Sequence, residues 1–116
     1  MEAMTRAGQQ AMNAVADMEP VEADIARDLL HGAKLKRDAD EYSMSSLAWK
    51  FDIEAREVWN ILYNGARHKD AELILDCHRA RLRIREESGA FTKKAIRARY
   101  RVGESTVNQV AARIGL

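Results

Sequence analysis

The chain repeats the spacing of its apolar residues after 49 positions, and this repeat constrains the fold more than any other feature. Each matched apolar position is one that a small helical unit needs for a core contact. The matched pairs are Ile25 with Ile74, Leu35 with Ile84, Tyr42 with Phe91, Leu47 with Ile96, Phe51 with Tyr100, Ile53 with Val102, Val58 with Val107, Asn60 with Gln109 and Ile61 with Val110. A match without an insertion indicates a duplicated helical unit.

The second copy, residues 91–115, has the spacing of two short helices joined by a tight turn. Its predicted inward face consists of the apolar residues Ile96, Tyr100, Val102, Val107 and Val110. Ser105 is the predicted N-cap of the second helix, and Glu104 suits the positive N-terminus of that helix. This pattern resembles the helix-turn-helix units of DNA-binding proteins, in which the second helix enters the major groove.

The resemblance implies sequence-selective binding of double-stranded DNA, as in transcriptional regulators or accessory factors of phage and mobile elements. Cationic side chains would contact phosphates, while hydroxyl and amide side chains would contact phosphates or base edges. The implied DNA-binding residues are Lys93, Lys94, Arg97, Arg99, Arg101, Ser105, Thr106, Asn108, Gln109 and Arg113. Two of them depart from the family pattern, because Arg97 replaces a usually small residue and Arg101 stands in the turn where glycine is common.

The charge of the chain is distributed unevenly, although its net value is only +1. Residues 1–66 contain seven Lys or Arg and twelve Asp or Glu, which gives a net charge of −5. Residues 67–116 contain twelve Lys or Arg and six Asp or Glu, which gives +6. Such asymmetry indicates a nucleic-acid contact in the second half.

The first copy keeps the apolar spacing but has a surface unsuited to DNA. Its second helix presents Glu54 and Glu57, whose carboxylates would repel phosphates. Trp49 and Trp59 are predicted to point outward, where they either form a protein interface or are covered by another helix. The alternative function is therefore an adaptor or inhibitor that binds transcription machinery or another host protein, or a homodimer contact. A third possibility is a module for RNA or for nucleic acid of any sequence.

The predicted fold is all-α, with two helix-turn-helix-like units joined by a long helix over residues 69–87. A single proline and many Ala, Arg, Glu and Leu residues favour helix. The predicted divisions are a tail or helix over residues 1–19, a first unit over 20–66 and a second, basic unit over 67–116. Ser43 is predicted to cap the first short helix, and Asp52 to adopt the left-handed backbone of the turn.

The sequence lacks the signatures of catalytic and metal sites. His31, His68 and His78 do not have the spacing of metal ligands, and Cys77 has no cysteine partner. Because acid–base pairs and glycine-rich phosphate loops are also missing, we expect no enzymatic activity, no cofactor and no metal. No stretch approaches the roughly 20 apolar residues of a membrane span, and the N-terminus does not resemble a secretory signal. A cytoplasmic location without a membrane partner is therefore expected.

Overall fold

The computed structural model describes residues 17–116, so most of the predicted N-terminal tail or helix, residues 1–16, lies outside the described residues. The described chain contains six α-helices, one 3-10 turn and no strand, which confirms the all-α prediction. The helices are α1 (Pro20–Asp40), α2 (Met44–Lys50), α3 (Ala55–Tyr63), α4 (Ala71–Ser88), α5 (Lys93–Tyr100) and α6 (Glu104–Arg113), and the 3-10 turn is Gly89–Phe91.

Helices α2 and α5 begin in the same way. The Ser43 hydroxyl accepts a hydrogen bond from the backbone N–H of Ser46 at 3.2 Å, which confirms the predicted cap. The Thr92 hydroxyl accepts the corresponding bond from the N–H of Ala95, also at 3.2 Å. Each cap satisfies one of the N–H groups that the first helical turn leaves without a partner. The two caps lie 49 residues apart, as a duplicated unit requires, and the duplication itself stays a prediction.

The N-cap predicted for α6 was wrong. The cap residue is Gly103, whose extended backbone (φ −78°, ψ 165°) leads directly into a helix that starts at Glu104. Ser105 is consequently the second residue of the helix and is exposed. The physical reason is that the turn ends one residue after Val102, so the helix starts before a Ser105 cap could form. A first-turn carboxylate from Glu104 supplies the favourable charge at this end.

The turns that follow α2 and α5 also have the same geometry. Asp52 has φ 53°, which confirms its predicted left-handed backbone, and Arg101 has φ 54°. In the first turn the N–H of Ile53 donates to the carbonyl of Ala48 at 3.0 Å. In the second turn the N–H of Val102 donates to the carbonyl of Arg97 at 3.1 Å. An arginine in this conformation carries a cost of about 1–2 kcal/mol that glycine avoids.

Two compact units make up the fold. Among the described residues, the terminal unit consists of residues 17–33 together with Gly89–Leu116, and the central unit consists of Lys34–Ser88. Helix α1 contributes its first part to the terminal unit and its last residues to the central unit. These divisions differ from the contiguous segments 20–66 and 67–116 that the repeat suggests.

The core of the terminal unit joins α1 to the hairpin formed by α5 and α6. Its buried residues are Ile25, Ala26 and Leu29 from α1 with Ile96, Val107, Val110, Ala111 and Ile114 from the C-terminal segment. Gly32 allows the chain to approach closely here, since a Cβ at this position would lie 2.8 Å from the carbonyl oxygen of Phe91. The first part of α1 thus packs on the α5–α6 hairpin.

The core of the central unit shows the reciprocal arrangement. Ile74 of α4 is buried with residues of α2 and α3, namely Leu47, Ala48, Val58 and Ile61. Ile74 matches Ile25 in the repeat, yet each packs with the hairpin of the other copy. The apolar pattern predicts which helical faces are buried. It does not determine which of two hairpins with similar apolar faces each helix contacts. The unit boundaries expected from the repeat therefore differ from those in the structure.

Candidate nucleic-acid interface

The outer face of α6 carries small, hydroxyl and amide side chains. Val107, Val110, Ala111 and Ile114 point into the core of the terminal unit. The opposite side exposes Ser105, Asn108, Gln109 and Ala112. Thr106 lies at the edge of this face and is partly buried. A helix with such a face can approach the base edges of a groove closely.

Lys93, the first residue of α5, contacts this face of α6. Its ammonium group donates a hydrogen bond to Oδ1 of Asn108, with the two atoms 3.2 Å apart. The contact holds the Asn108 side chain in place and leaves its Nδ2 amide group available as a donor. In the described part of the chain no hydrogen bond engages the Gln109 amide, so both amide side chains retain free groups.

Three other cations of the hairpin remain unpaired. Lys94, Arg97 and Arg101 are exposed, and no ion pair engages them among residues 17–116. Arg97 extends into solvent although the matched residue of the first copy, Ala48, is buried. Arg97 therefore adds a cation to the surface of the terminal unit.

Arg99, unlike the three cations above, forms an ion pair and a hydrogen bond within the terminal unit. Its Nη1 lies 2.5 Å from Oδ2 of Asp28, and its Nη2 donates to the carbonyl of Ala90. The Tyr100 hydroxyl donates to the same Asp28 oxygen at 2.7 Å. This hydrogen bond, together with burial and the negative charge of Asp28, raises the pKa of Tyr100 above 10.0. Asp28 therefore joins α1 to α5 through Arg99 and Tyr100.

Arg113 is the second predicted contact with an internal partner. Its Nη1 lies 3.4 Å from Oε2 of Glu22 in α1. The two carboxylates that engage Arg99 and Arg113 lie 71 and 91 residues away in sequence. No local spacing signals such pairs, so sequence reasoning missed both acidic partners.

The two hairpins differ in net charge in the same sense as the two halves of the chain. Residues 89–116 contain six Lys or Arg and a single carboxylate, that of Glu104. The matched segment, residues 40–67, contains three Lys or Arg and five Asp or Glu. Only the C-terminal hairpin therefore combines a polar helix face with an excess of positive charge.

The central unit presents aromatic rings at the corresponding positions. Trp49 is 87% exposed and Trp59 is 48% exposed, so both point outward as expected. Trp59 packs against exposed Tyr63 with the ring centroids 4.4 Å apart. In the repeat, Trp59 stands where the second copy has Asn108. We call Trp59 and Tyr63, which pack against each other, the aromatic face, and Trp49 is a further exposed ring on α2.

Other site classes find little support in the described part of the chain. Residues 17–116 contain no group of three or more His, Cys, Asp or Glu arranged to hold a metal ion. Among the helices described, none is long and apolar enough to cross a membrane. No protein-family model, curated protein or solved structure matches the chain.

Proposed function

We propose that the chain binds double-stranded DNA through the α5–α6 hairpin, with α6 in the major groove. The observation that carries this proposal is the combination of an exposed face bearing Ser105, Asn108 and Gln109 with flanking cations that have no internal partner. Groove-reading helices need both features, because cations supply affinity for phosphates and amides discriminate between bases.

Four side chains of the hairpin are suited to phosphate contacts. Lys94, Arg97 and Arg101 are free to engage the DNA backbone, and Lys93 lies at the edge of the same surface through its bond to Asn108. Each phosphate contact releases condensed counterions, so binding should weaken as salt is raised. Arg99 and Arg113 act in this mechanism by holding the hairpin against α1.

Asn108 and Gln109 are suited to direct contact with bases. An asparagine or glutamine amide can pair with both N6 and N7 of adenine, which contributes about 1–3 kcal/mol of discrimination. Lys93 occupies one lone pair of the Asn108 oxygen and leaves the second for a base. Ala112 leaves space between these groups and can contact a thymine methyl group. Sequence-selective binding of this kind is the property of a transcriptional regulator or of a phage accessory factor, and we propose that class.

Substitution of Arg101 by glycine should change DNA affinity and fold stability in opposite directions. The variant should bind duplex DNA more weakly, with a salt dependence (the slope of log K against log salt) reduced by about one, because one phosphate contact is lost. Its free energy of unfolding should rise by about 0.5–1 kcal/mol, because glycine tolerates the left-handed backbone at φ 54°. The midpoint of unfolding in urea should rise accordingly. Anisotropy titrations over a salt series and urea denaturation measure the two effects.

The matched control is Asp52→Gly, which changes the equivalent turn of the central unit. We expect DNA binding to be unchanged in this variant. The proposal fails if Arg101→Gly and Arg97→Gln both retain the affinity and salt dependence of the unmodified chain.

A second candidate function is protein binding through the aromatic face. Exposed tryptophans are uncommon on a surface without a partner, and they are enriched where interfaces form. We propose a second copy of this chain as the partner, because pairing two copies would offer two α6 helices to two half-sites. Neighbouring Arg56 and Glu57, both exposed on α3, can form reciprocal charge pairs across a two-fold axis.

Sedimentation over a series of protein concentrations tests this candidate. The unmodified chain should associate to dimers, and Trp59→Ser should shift the equilibrium towards monomers through loss of buried aromatic area. Leu82→Ser is the control, since Leu82 is similarly exposed but lies on α4. A chain that stays monomeric at every concentration contradicts the dimer and directs attention to a different protein, as in the adaptor alternative.

A further inference from the structure

The hydrogen bond between Lys93 and Asn108 joins the start of α5 to the outer face of α6, within the terminal unit. Ile96 lies one turn after Lys93, and Val107 directly precedes Asn108. Both apolar residues are fully buried in one core, which holds the two helices together at this point. The Thr92 cap fixes where α5 begins. The two polar side chains therefore meet on the surface of a packed hairpin.

This contact changes what the Asn108 side chain offers to a base. Its Oδ1 atom, the acceptor of the amide, lies 3.2 Å from the Lys93 ammonium group. Its Nδ2 atom forms no hydrogen bond with any residue from 17 to 116 and keeps both N–H donors. The ammonium group has three N–H donors and uses one of them on Asn108. Both partners thus present donors, with a positive charge beside the single acceptor.

Donors on both partners fit the major-groove edge of guanine better than that of any other base. Guanine presents two neighbouring acceptors, O6 and N7, whereas adenine presents N7 beside an amino donor. Full pairing with adenine would bring that amino group to the oxygen that Lys93 already contacts, where the ammonium charge repels the donor. Thymine presents one acceptor, and cytosine presents a donor. Guanine alone offers an acceptor to each partner.

We propose that Lys93 and Asn108 form one donor unit that recognises a guanine in the major groove. The preferred DNA site should therefore carry a guanine at the position that Asn108 faces. Gln109, whose amide has no hydrogen-bond partner in the described part of the chain, can still pair with adenine. The matched residues of the first copy are Met44 and Trp59, so the first hairpin lacks this unit. This inference rests on the proposed DNA-binding function and adds the identity of one base to it.

Competition binding of the full chain to modified duplexes tests the inference. Each guanine of the site selected from random-sequence DNA is replaced in turn by adenine, by 7-deazaguanine and by hypoxanthine. At one position, adenine should lower the affinity of the unmodified chain by about tenfold or more, and 7-deazaguanine should lower it through loss of N7. Hypoxanthine keeps O6 and N7 and lacks only the minor-groove amino group, so it should bind as well as guanine.

Lys93→Met should bring the ratio of guanine to adenine affinity at this position close to one. Methionine suits the start of such a helix, because Met44 is the first residue of α2 and matches Lys93 in the repeat. Lys94→Met is the matched control, since Lys94 is the next residue of α5 and is an exposed cation without an ion pair among the described residues. It should weaken binding to every duplex and leave the ratio unchanged.

A preferred site at which Lys93→Met changes no guanine-to-adenine ratio overturns the inference, as does a preferred site without guanine. Either result leaves DNA recognition by α6 standing and assigns Lys93 to a phosphate or to Asn108 alone. Absence of any selective complex removes the proposed function and the inference together, so the two failures are distinguished. The modified bases test the same contact without any change in the protein.

Discussion

Replacement of Ile25 by alanine should loosen α5 and α6, whereas replacement of Ile74 by alanine should loosen α2 and α3. Both isoleucines are fully buried, and truncation of a buried isoleucine to alanine costs about 2–5 kcal/mol. The two substitutions remove the same atoms from positions that match in the repeat. They differ in which hairpin loses its packing partner, and this makes each the control for the other.

The expected crossed pattern follows from the composition of the two cores. Ile25 is buried in one core with Val107 and Val110, while Ile74 is buried in the other with Val58 and Ile61. If each copy instead packed within its own contiguous segment, Ile25→Ala would loosen α2 and α3.

Amide hydrogen exchange measured by NMR on both full-length variants resolves the two arrangements helix by helix. Exchange reports local opening of parts of a protein as well as global unfolding. Val21→Ala, at an exposed position of the same helix as Ile25, should change stability by no more than about 0.5 kcal/mol. Loss of protection in α2 and α3 upon Ile25→Ala, with α5 and α6 unaffected, would refute the exchanged packing of the first helices.

The second large effect is expected at the outer face of α6. Asn108→Ala and Gln109→Ala should each lower the affinity for the preferred DNA site by about 1–3 kcal/mol, while affinity for unrelated duplexes changes little. The physical reason is that an amide paired with a base edge contributes to discrimination, whereas the surrounding cations contribute to affinity for any duplex. Competition binding with preferred and unrelated duplexes at one fixed salt concentration measures the difference.

Asn60→Ala provides the control for this pair. Asn60 matches Gln109 in the repeat but lies on α3, beside the aromatic face and in a segment with an excess of carboxylates. DNA preference should be unaffected by this change. Equal preference ratios in the Asn108, Gln109 and Asn60 variants would exclude groove recognition by α6.

Much of the fold was predictable because the signals are local. Helix positions follow from apolar spacing, and the Ser43 cap and Asp52 turn follow from side chains that bond or tolerate a particular backbone nearby. The predicted range of α6, Glu104–Arg113, agrees with the structure, but its N-cap was placed two residues late, at Ser105. A serine before an apolar run signals a cap, but the tight turn after Val102 places Gly103 in that position instead.

The remainder depended on contacts between distant parts of the chain. Periodicity marks Ile25 and Ile74 as buried without identifying the hairpin that each one contacts. Likewise, nothing in the sequence distinguishes Arg99 from the other arginines near it. Its ion pair forms because α1 brings Asp28 next to it. Composition and motif spacing indicate a basic hairpin, whereas the division between free and engaged cations requires the packed structure.

The most direct test of DNA recognition is selection from a pool of random-sequence duplexes, with binding measured at low and at moderate salt. We predict a complex that weakens as salt is raised and a bound pool enriched in one sequence motif, because cations and amides act together on the C-terminal hairpin. A palindromic motif would additionally indicate two copies bound to two half-sites. Absence of any complex at low salt would contradict DNA binding by this chain.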